Sequence, residues 1–150
     1  MSERDHDEQV RALVAPGWPA VESRIDEIFG WLEDPNCTGC GVAFEFLKSV
    51  GAPLLPHVRR ALKGAGPEVR SVLLSLLDGW SPTDVRPLTE VLVDLSETPD
   101  PMDSDVQALG LLVKHRLMER EWLVRRVDGR IRGQEWALAE LRSMRKQLEA

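Results

Sequence analysis

The sequence predicts an all-α fold, a short right-handed α-solenoid of antiparallel helical hairpins, with a compact helical bundle as the alternative. Apolar residues recur at spacings of three and four along most of the 150 residues, as they do on one face of a helix. Glycine and proline interrupt these stripes, and connections of about two to seven residues place successive helices antiparallel. No stretch alternates apolar and polar residues, so no strand is predicted.

The first part of the chain predicts four helices. Residues 3–14 predict a short, loosely held helix. Val21–Leu32 predicts a second helix, which Pro35 ends because proline lacks an amide donor. Val42–Val50 predicts a third. Leu54–Leu62 predicts a fourth, which begins among prolines because first-turn amides have no partner within a helix.

The middle of the chain predicts the centre of the fold. Val69–Leu77 is apolar nearly all round, which is typical of a helix that is covered on most sides. Ser81 is then expected to act as an N-cap. Pro87 is expected either to kink the helix that follows or to move its start to about Arg86.

The C-terminal part predicts two more helices. Glu97–Asp103 is the longest predicted loop. Ser104 or Asp105 is expected to cap a helix that runs through Val127 and ends at Asp128-Gly129. The last helix carries a seven-residue apolar repeat formed by Ala137, Leu141, Met144 and Leu148.

Composition is typical of one ordered globular domain, residues 1–150. The chain is 43% hydrophobic and 29% charged, close to the globular average. Two cysteines cannot form the disulfide framework of a small secreted domain, and the charged N-terminus is unlike a signal peptide. The longest nearly apolar stretch, Val106–Val113, is too short to span a bilayer. We therefore expect a cytoplasmic protein that does not enter a membrane.

The net charge of −6 conceals two poles. Residues 1–113 carry 9 basic and 19 acidic side chains, whereas residues 114–150 carry 10 basic and 6 acidic ones. The predicted domain therefore has a core, about residues 18–113, and a basic two-helix C-terminal extension, residues 114–150. Such poles bear on partners and self-association rather than on the fold.

Three short motifs lie within residues 31–62. They are Trp-Leu-Glu-Asp-Pro-Asn from Trp31, Ala-Phe-Glu-Phe-Leu from Ala43, and the segment Gly51–Leu62. On these motifs the chain resembles the bacterial DUF5071 family over about residues 22–113. The resemblance implies a small, HEAT-like helical fold without an established activity, and some relatives look like immunity or accessory proteins. The chain departs from the family pattern at two places. The family has Trp-Pro where this chain has Cys37-Thr38, and Trp-Lys where this chain has Val69-Arg70.

We expect a non-catalytic module that binds a partner protein through one face of the helical repeat. An immunity- or antitoxin-like role is its most concrete form, because an acidic face can cover the basic site of a nuclease. The candidate contacts lie on one loop edge and on polar strips of the central helices: Trp31, Asp34, Asn36, Arg59, Arg70, Asp78 and Trp80. The chain lacks the motifs of phosphate-binding loops and of common hydrolases, so we expect neither catalysis nor a cofactor.

Arginines cluster around residue 128 and offer planar forks that can grip phosphates or carboxylates. They are Arg125, Arg126, Arg130 and Arg132, joined by Arg116 and Arg120. Trp122 and Trp136 flank the cluster and could stack on bases. Three interpretations stay open: charge compensation at a helix end, an acidic protein partner or a homodimer, and nucleic acid, which the acidic core would repel.

The segment Cys37–Cys40 places two thiols at a predicted helix N-terminus, where the helix dipole stabilises a thiolate and the spacing permits a disulfide. Incidental turn thiols, a redox pair and part of a metal site are the three interpretations. A zinc site needs two more ligands, and the histidines show no paired spacing, so no metal is predicted. His57 is expected in the first turn of a helix, and His115 is expected to be solvated.

Overall fold

The computed structural model describes residues 2–150, which form two compact units, one ending at Leu117 and the other beginning at Met118. Throughout the described residues the secondary structure is helical, without a strand, and this confirms the all-α prediction. None of the helices in this range is both long enough and apolar enough to cross a membrane.

The first unit is a series of helices joined by short turns. In chain order they are α1 (Glu3–Val14), α2 (Ile25–Gly30), α3 (Thr38–Val50), α4 (Leu55–Gly64), α5 (Pro67–Asp78), α6 (Pro82–Val85), α7 (Thr89–Ser96) and α8 (Ser104–Lys114). One-turn 3₁₀ segments precede α2, α4 and α7. The second unit contains the long helix α9 (Arg120–Glu149).

Contacts within the first unit show two helical hairpins that pack on each other, although no recurring sequence motif marks them. The pairs α4/α5 and α7/α8 form hairpins, and α5 packs on α8 while α4 packs on α7. Ser71 bonds to Gln107 and Asp78 to Lys114, each pair 36 residues apart. The first pair joins the earlier parts of α5 and α8, and the second joins their ends. The two helices therefore run parallel, as equivalent helices of successive hairpins do. The right-handed sense of the solenoid stays a prediction.

Helix α5 lies at the centre of the first unit, as predicted. It packs against α3, α4 and α8. Its buried side chains are Val69, Leu73, Leu74, Leu76 and Leu77. Full burial of an aliphatic side chain contributes about 1.5–3 kcal/mol, so this helix supplies a large part of the apolar stabilisation of the unit.

The prediction that residues 3–14 are loosely held is wrong. Helix α1 packs on α3, and its Val10 and Leu13 are buried. Ser2 and Asp5 form a reciprocal capping box, in which the Asp5 carboxylate accepts the Ser2 amide at 2.9 Å. The narrow apolar face of α1 suffices because α3 covers it, and the sequence of α1 alone does not indicate that partner.

Two predicted helix signals in the middle of the chain are confirmed. The Ser81 hydroxyl caps α6 by accepting the amide of Asp84 at 3.2 Å. Pro87 interrupts the helical segment, because it lies in the 3₁₀ turn Arg86–Leu88 that separates α6 from α7.

The predicted helix boundaries at the C-terminus are wrong. Helix α8 begins at Ser104, after Asp103 in the left-handed region, and ends at Lys114. Arg116 has a φ of 52°, so the chain breaks there and not at Asp128-Gly129. Helix α9 then continues through Gly129 to Glu149. The break between the two helices therefore lies at residues 115–119 and not at Asp128-Gly129, and the predicted two-helix extension is the single helix α9.

Candidate functional site

The predicted loop edge forms a compact local structure after α2. The carboxylate of Asp34 accepts the amide of Asn36 at 3.0 Å, and both residues are exposed. Trp31 is half-buried, and its ring lies edge-on to His6 with the centroids 5.8 Å apart. Trp31 therefore contributes to packing between α1 and the start of α3, while Asp34 and Asn36 face solvent.

The structure does not bring the remaining predicted contacts of the helical repeat together. Arg59 donates to the carbonyl of Pro87 at 2.7 Å and so ties α4 to the turn before α7. Arg70 and Asp78 lie near opposite ends of α5, and Trp80 is half-buried beyond it. Asp78 borders a shallow groove of about 310 Å³ between α5 and α8.

Arg70 is held inside the first unit. Its guanidinium lies 3.1 Å from the carboxylate of Asp100 and 3.0 Å from the carbonyl of Ala65, and the two charged side chains are 16% and 7% exposed. The other oxygen of Asp100 accepts the amides of Met102 and Ser104 at 2.9 and 3.1 Å. This network fixes the loop that leads into α8.

The pKa of Asp100 lies below its ordinary value. Burial acts to raise it, but hydrogen bonds from Ser104 and Met102 and the charge of Arg70 outweigh burial. The hydroxyl of Ser104 forms no hydrogen bond of acceptable geometry with the described residues. The hydrogen bonds from Ser104 and Met102 lower the pKa of Asp100 more than the charge of Arg70 does.

An apolar strip faces solvent on α8 and on the turn that precedes it. Met102, Val106 and Val113 are 38–47% exposed, and Gly110 lies on the same helix face as the two valines. The spacing of three and four also places Leu109 near this face, but Leu109 is buried. Spacing alone could not separate the two faces, because α8 has apolar residues around most of its circumference.

A larger apolar surface, here called the α9 stripe, runs along the second unit. Its members are between 44% and 84% exposed: Val124, Ile131, Leu138, Leu141 and Leu148. Their spacings of three and seven keep them near one face of a helix about 45 Å long. The seven-residue repeat predicted near the C-terminus contributes Leu141 and Leu148 to this surface.

The predicted arginine cluster divides between two faces of α9. Arg125 and Arg132 are seven residues apart and share one face, whereas Arg126 and Arg130 share another. The guanidinium of Arg126 lies 4.8 Å from the ring centroid of Trp122, in cation–π geometry. Trp136 is 68% exposed. The cluster is thus a property of one continuous helix and not of a hairpin.

The two cysteines lie at the start of α3 and carry free thiols. Cys37 is half-buried, and its sulfur is 3.3 Å from Nδ1 of His6 on α1. Cys40 is buried, and its pKa is raised first by burial and then by the nearby Cys37 and Asp34. Sequence reasoning missed His6, because 31 residues separate it from Cys37 and no motif links them.

His57 contacts residues that are distant from it in the sequence, and His115 is buried. Nε2 of His57 lies 2.9 Å from a carboxylate oxygen of Glu22, and its ring contacts Trp18 edge-on. The prediction that His115 is solvated is wrong, because this residue is 6% exposed at the C-terminal end of α8. Within residues 2–150, no three His, Cys, Asp or Glu side chains are arranged to hold a metal ion.

Gly39 gives a test of the packing around the thiols. An added Cβ would lie 2.7 Å from Cε3 of Trp31 and 3.0 Å from Cγ2 of Val10. We expect Gly39→Ala to lower the free energy of unfolding by about 1–2 kcal/mol, since overpacking outweighs the gain in helix propensity. The matched control is Gly41→Ala in the same helix, where the Cβ meets open space. It should raise the free energy of unfolding by up to about 1 kcal/mol. Urea unfolding measures both, and equal signs would contradict the packing argument.

Comparisons with protein-family models, with curated proteins and with solved structures each find no match for this chain.

Proposed function

We propose that the protein is a non-catalytic interaction module that binds a partner protein, and that the α9 stripe is its principal contact. The observation that carries the proposal is the exposure of five large aliphatic side chains along one helix. Contiguous exposed apolar surface of this kind is typical of interaction sites. The stability of a long amphipathic helix in water also comes mostly from packing of its apolar face. We therefore expect the apolar face of α9 to be covered by a partner.

The charged residues along α9 indicate which kind of protein surface would bind the stripe. Arg142 follows Leu138 by four residues and Arg145 follows Leu141 by four, so both cations border the stripe. The bond between Arg145 and Glu149 is exposed and contributes little by itself. We therefore commit to a partner protein with an apolar groove and an acidic rim. The resemblance to the DUF5071 family is compatible with this role, and a cytoplasmic immunity or accessory protein is its narrowest form.

A site-specific cross-linking experiment tests the proposal. A photoreactive benzophenone side chain is placed at Leu141 of the full chain in the native host, with Ser143 as the control position. Both residues are exposed, but they lie on different faces of the same helix. We expect a covalent adduct with one protein from Leu141 and none from Ser143. The linked peptide should belong to an apolar segment flanked by acidic residues.

Each other result argues against a partner protein on the stripe. An adduct with a second copy of the chain would assign the stripe to self-association. Equal adducts from Leu141 and Ser143 would show nonspecific contact. No adduct from Leu141 at an expression level equal to that of the control would leave the stripe without an occupant and would contradict the proposal.

Nucleic acid is a second candidate partner, favoured by the exposed Trp136 and by the shared face of Arg125 and Arg132. If this candidate is right, replacing both arginines with alanine should weaken binding to a fluorescent single-stranded oligonucleotide. The slope of log K against log salt should also become shallower by about 1.4, since each phosphate contact contributes about 0.7. Fluorescence anisotropy at several salt concentrations measures both effects. No binding by the unmodified chain at low salt would eliminate this candidate.

A further inference from the structure

We propose that Cys37, Cys40 and His6 form a dithiol site that reduces small disulfides of low-molecular-weight thiols. In this site Cys37 is the attacking thiol, His6 exchanges protons with it, and Cys40 is the resolving thiol. The site lies in a part of the first unit that the α9 stripe does not use. Its thiol–disulfide exchange is stoichiometric, so the proposal is independent of the non-catalytic interaction module proposed above and compatible with it.

The contact between Cys37 and His6 carries the proposal. The sulfur and Nδ1 are 3.3 Å apart, which is within hydrogen-bonding distance for a thiol and an imidazole. With the proton of the neutral ring on Nε2, Nδ1 accepts the thiol proton, and the transfer produces a thiolate beside an imidazolium. Cys37 is also the N-cap residue of the 13-residue helix α3, so it lies at the positive end of the helix dipole.

The position of Cys40 suits a resolving thiol. The amide of Cys40 donates to the carbonyl of Cys37 at 3.0 Å, so the two residues span one turn. Residues three apart in such a turn have Cβ atoms about 5–6 Å apart, so a small closing movement reaches disulfide geometry. Cys40 is 7% exposed, whereas Cys37 is half-buried. An incoming disulfide therefore meets Cys37 first, and burial keeps the second thiol protonated until it is needed.

Trp31 and Gly39 position the histidine. The ring of Trp31 lies against the backbone of Gly39, where an added Cβ would be within 2.7 Å of it. The same ring contacts His6 edge-on. A second tie is the hydroxyl of Thr38, which donates to the carbonyl of Glu3 at 3.0 Å. Both contacts join the start of α3 to α1, so the distance from His6 to Cys37 is held by packing on both sides.

The reaction proceeds in two exchange steps. The thiolate of Cys37 attacks one sulfur of the disulfide RSSR, the S–S bond breaks, and the leaving RS⁻ takes the proton held by His6. Cys40 then gives its proton to His6 and attacks the sulfur of Cys37. The mixed disulfide breaks and a second RSH leaves with that proton. The protein loses two hydrogens and two electrons and ends with a Cys37–Cys40 disulfide, while RSSR becomes two RSH.

Glutathione disulfide and intact-protein mass spectrometry test the proposal on the reduced full chain. The unmodified protein should lose the mass of two hydrogens without accumulating glutathione. Cys40→Ser should accumulate one glutathione on Cys37. His6→Gln should react about 100-fold more slowly, because proton transfer by a positioned histidine typically contributes about 10²–10⁴-fold. His57→Gln is the matched control, since His57 contacts Glu22 and Trp18, and its rate should be unchanged.

A measurement in urea separates the effect of the folded structure on the reaction rate from the reactivity of the two cysteines in the unfolded chain. In the unfolded chain, His6→Gln and the unmodified protein should react at the same rate, because the histidine is no longer beside the sulfur. Equal rates for these two proteins in the folded state would overturn the proposal. Stable glutathione on Cys37 of the unmodified protein, without loss of two hydrogens, would overturn the resolving role of Cys40.

Discussion

Asp100→Ala is expected to lower the free energy of unfolding by about 3 kcal/mol at pH 7, because it leaves a largely buried guanidinium without its partner. The change also removes the acceptor for the amides of Met102 and Ser104. A buried polar group that loses its partner costs about 1–3 kcal/mol. Urea unfolding measures the effect.

Two further variants isolate the ion pair. Asp94→Ala, an exposed carboxylate on α7, should change the free energy of unfolding by less than about 0.5 kcal/mol. Arg70→Met keeps much of the stem and removes the charge. In a double-mutant cycle, Arg70→Met should cost less when Asp100 is already alanine, since the two groups interact directly. Additive losses would show that Asp100 acts on the loop and not through Arg70.

The lowered pKa of Asp100 predicts a dependence on pH. A carboxyl whose pKa is lower in the folded state stabilises the protein above its unfolded pKa of about 3.9, and that stabilisation disappears as the pH falls through the folded pKa. The difference in stability between the unmodified protein and Asp100→Asn should therefore be constant near pH 6 and shrink below about pH 4. A difference that stays constant down to about pH 2 would show that charge on Asp100 contributes nothing.

Local signals in the sequence predicted most of the helices in the first unit because glycine, proline and capping residues mark their ends. The central helix α5 was predictable because its apolar residues cover most of its circumference. The packing of α5 on α8 was not predictable, since it appears in contacts between residues of unlike type, such as Ser71 with Gln107, and not in a recurring motif.

The C-terminal helix shows where local signals mislead. Asp128-Gly129 resembles a helix stop, but a glycine inside a helix costs only about 1 kcal/mol relative to alanine. Strong helix formers follow it from Ala137 onward and offset that cost. The residue contacts within the candidate sites could not be predicted either, because His6 reaches Cys37 and Asp100 reaches Arg70 only when segments distant in the sequence pack together.

Replacing Leu138 and Leu141 together with glutamate should weaken binding of the partner protein by about 100-fold or more. Each substitution puts a charge in place of an apolar anchor, and single anchors at interface centres commonly contribute 2 kcal/mol or more. Both side chains are about half exposed or more in this structure, so the free energy of unfolding should change by less than about 0.5 kcal/mol. Once cross-linking has identified the partner protein, calorimetric titration with that protein measures the affinity.

The matched control for this pair is Ser143→Glu with Gln147→Glu. It adds the same charge to the same helix, but on the face opposite the α9 stripe. If the stripe is the contact, this control should retain affinity within a few-fold, because an acidic rim on the partner meets the glutamates only at a distance that solvent screens. An equal loss of affinity in both pairs would mean that net charge along α9, and not the apolar stripe, determines binding. Retained affinity in the Leu138 and Leu141 pair would contradict the α9 stripe as the contact, and Val106→Glu would then test the exposed strip on α8.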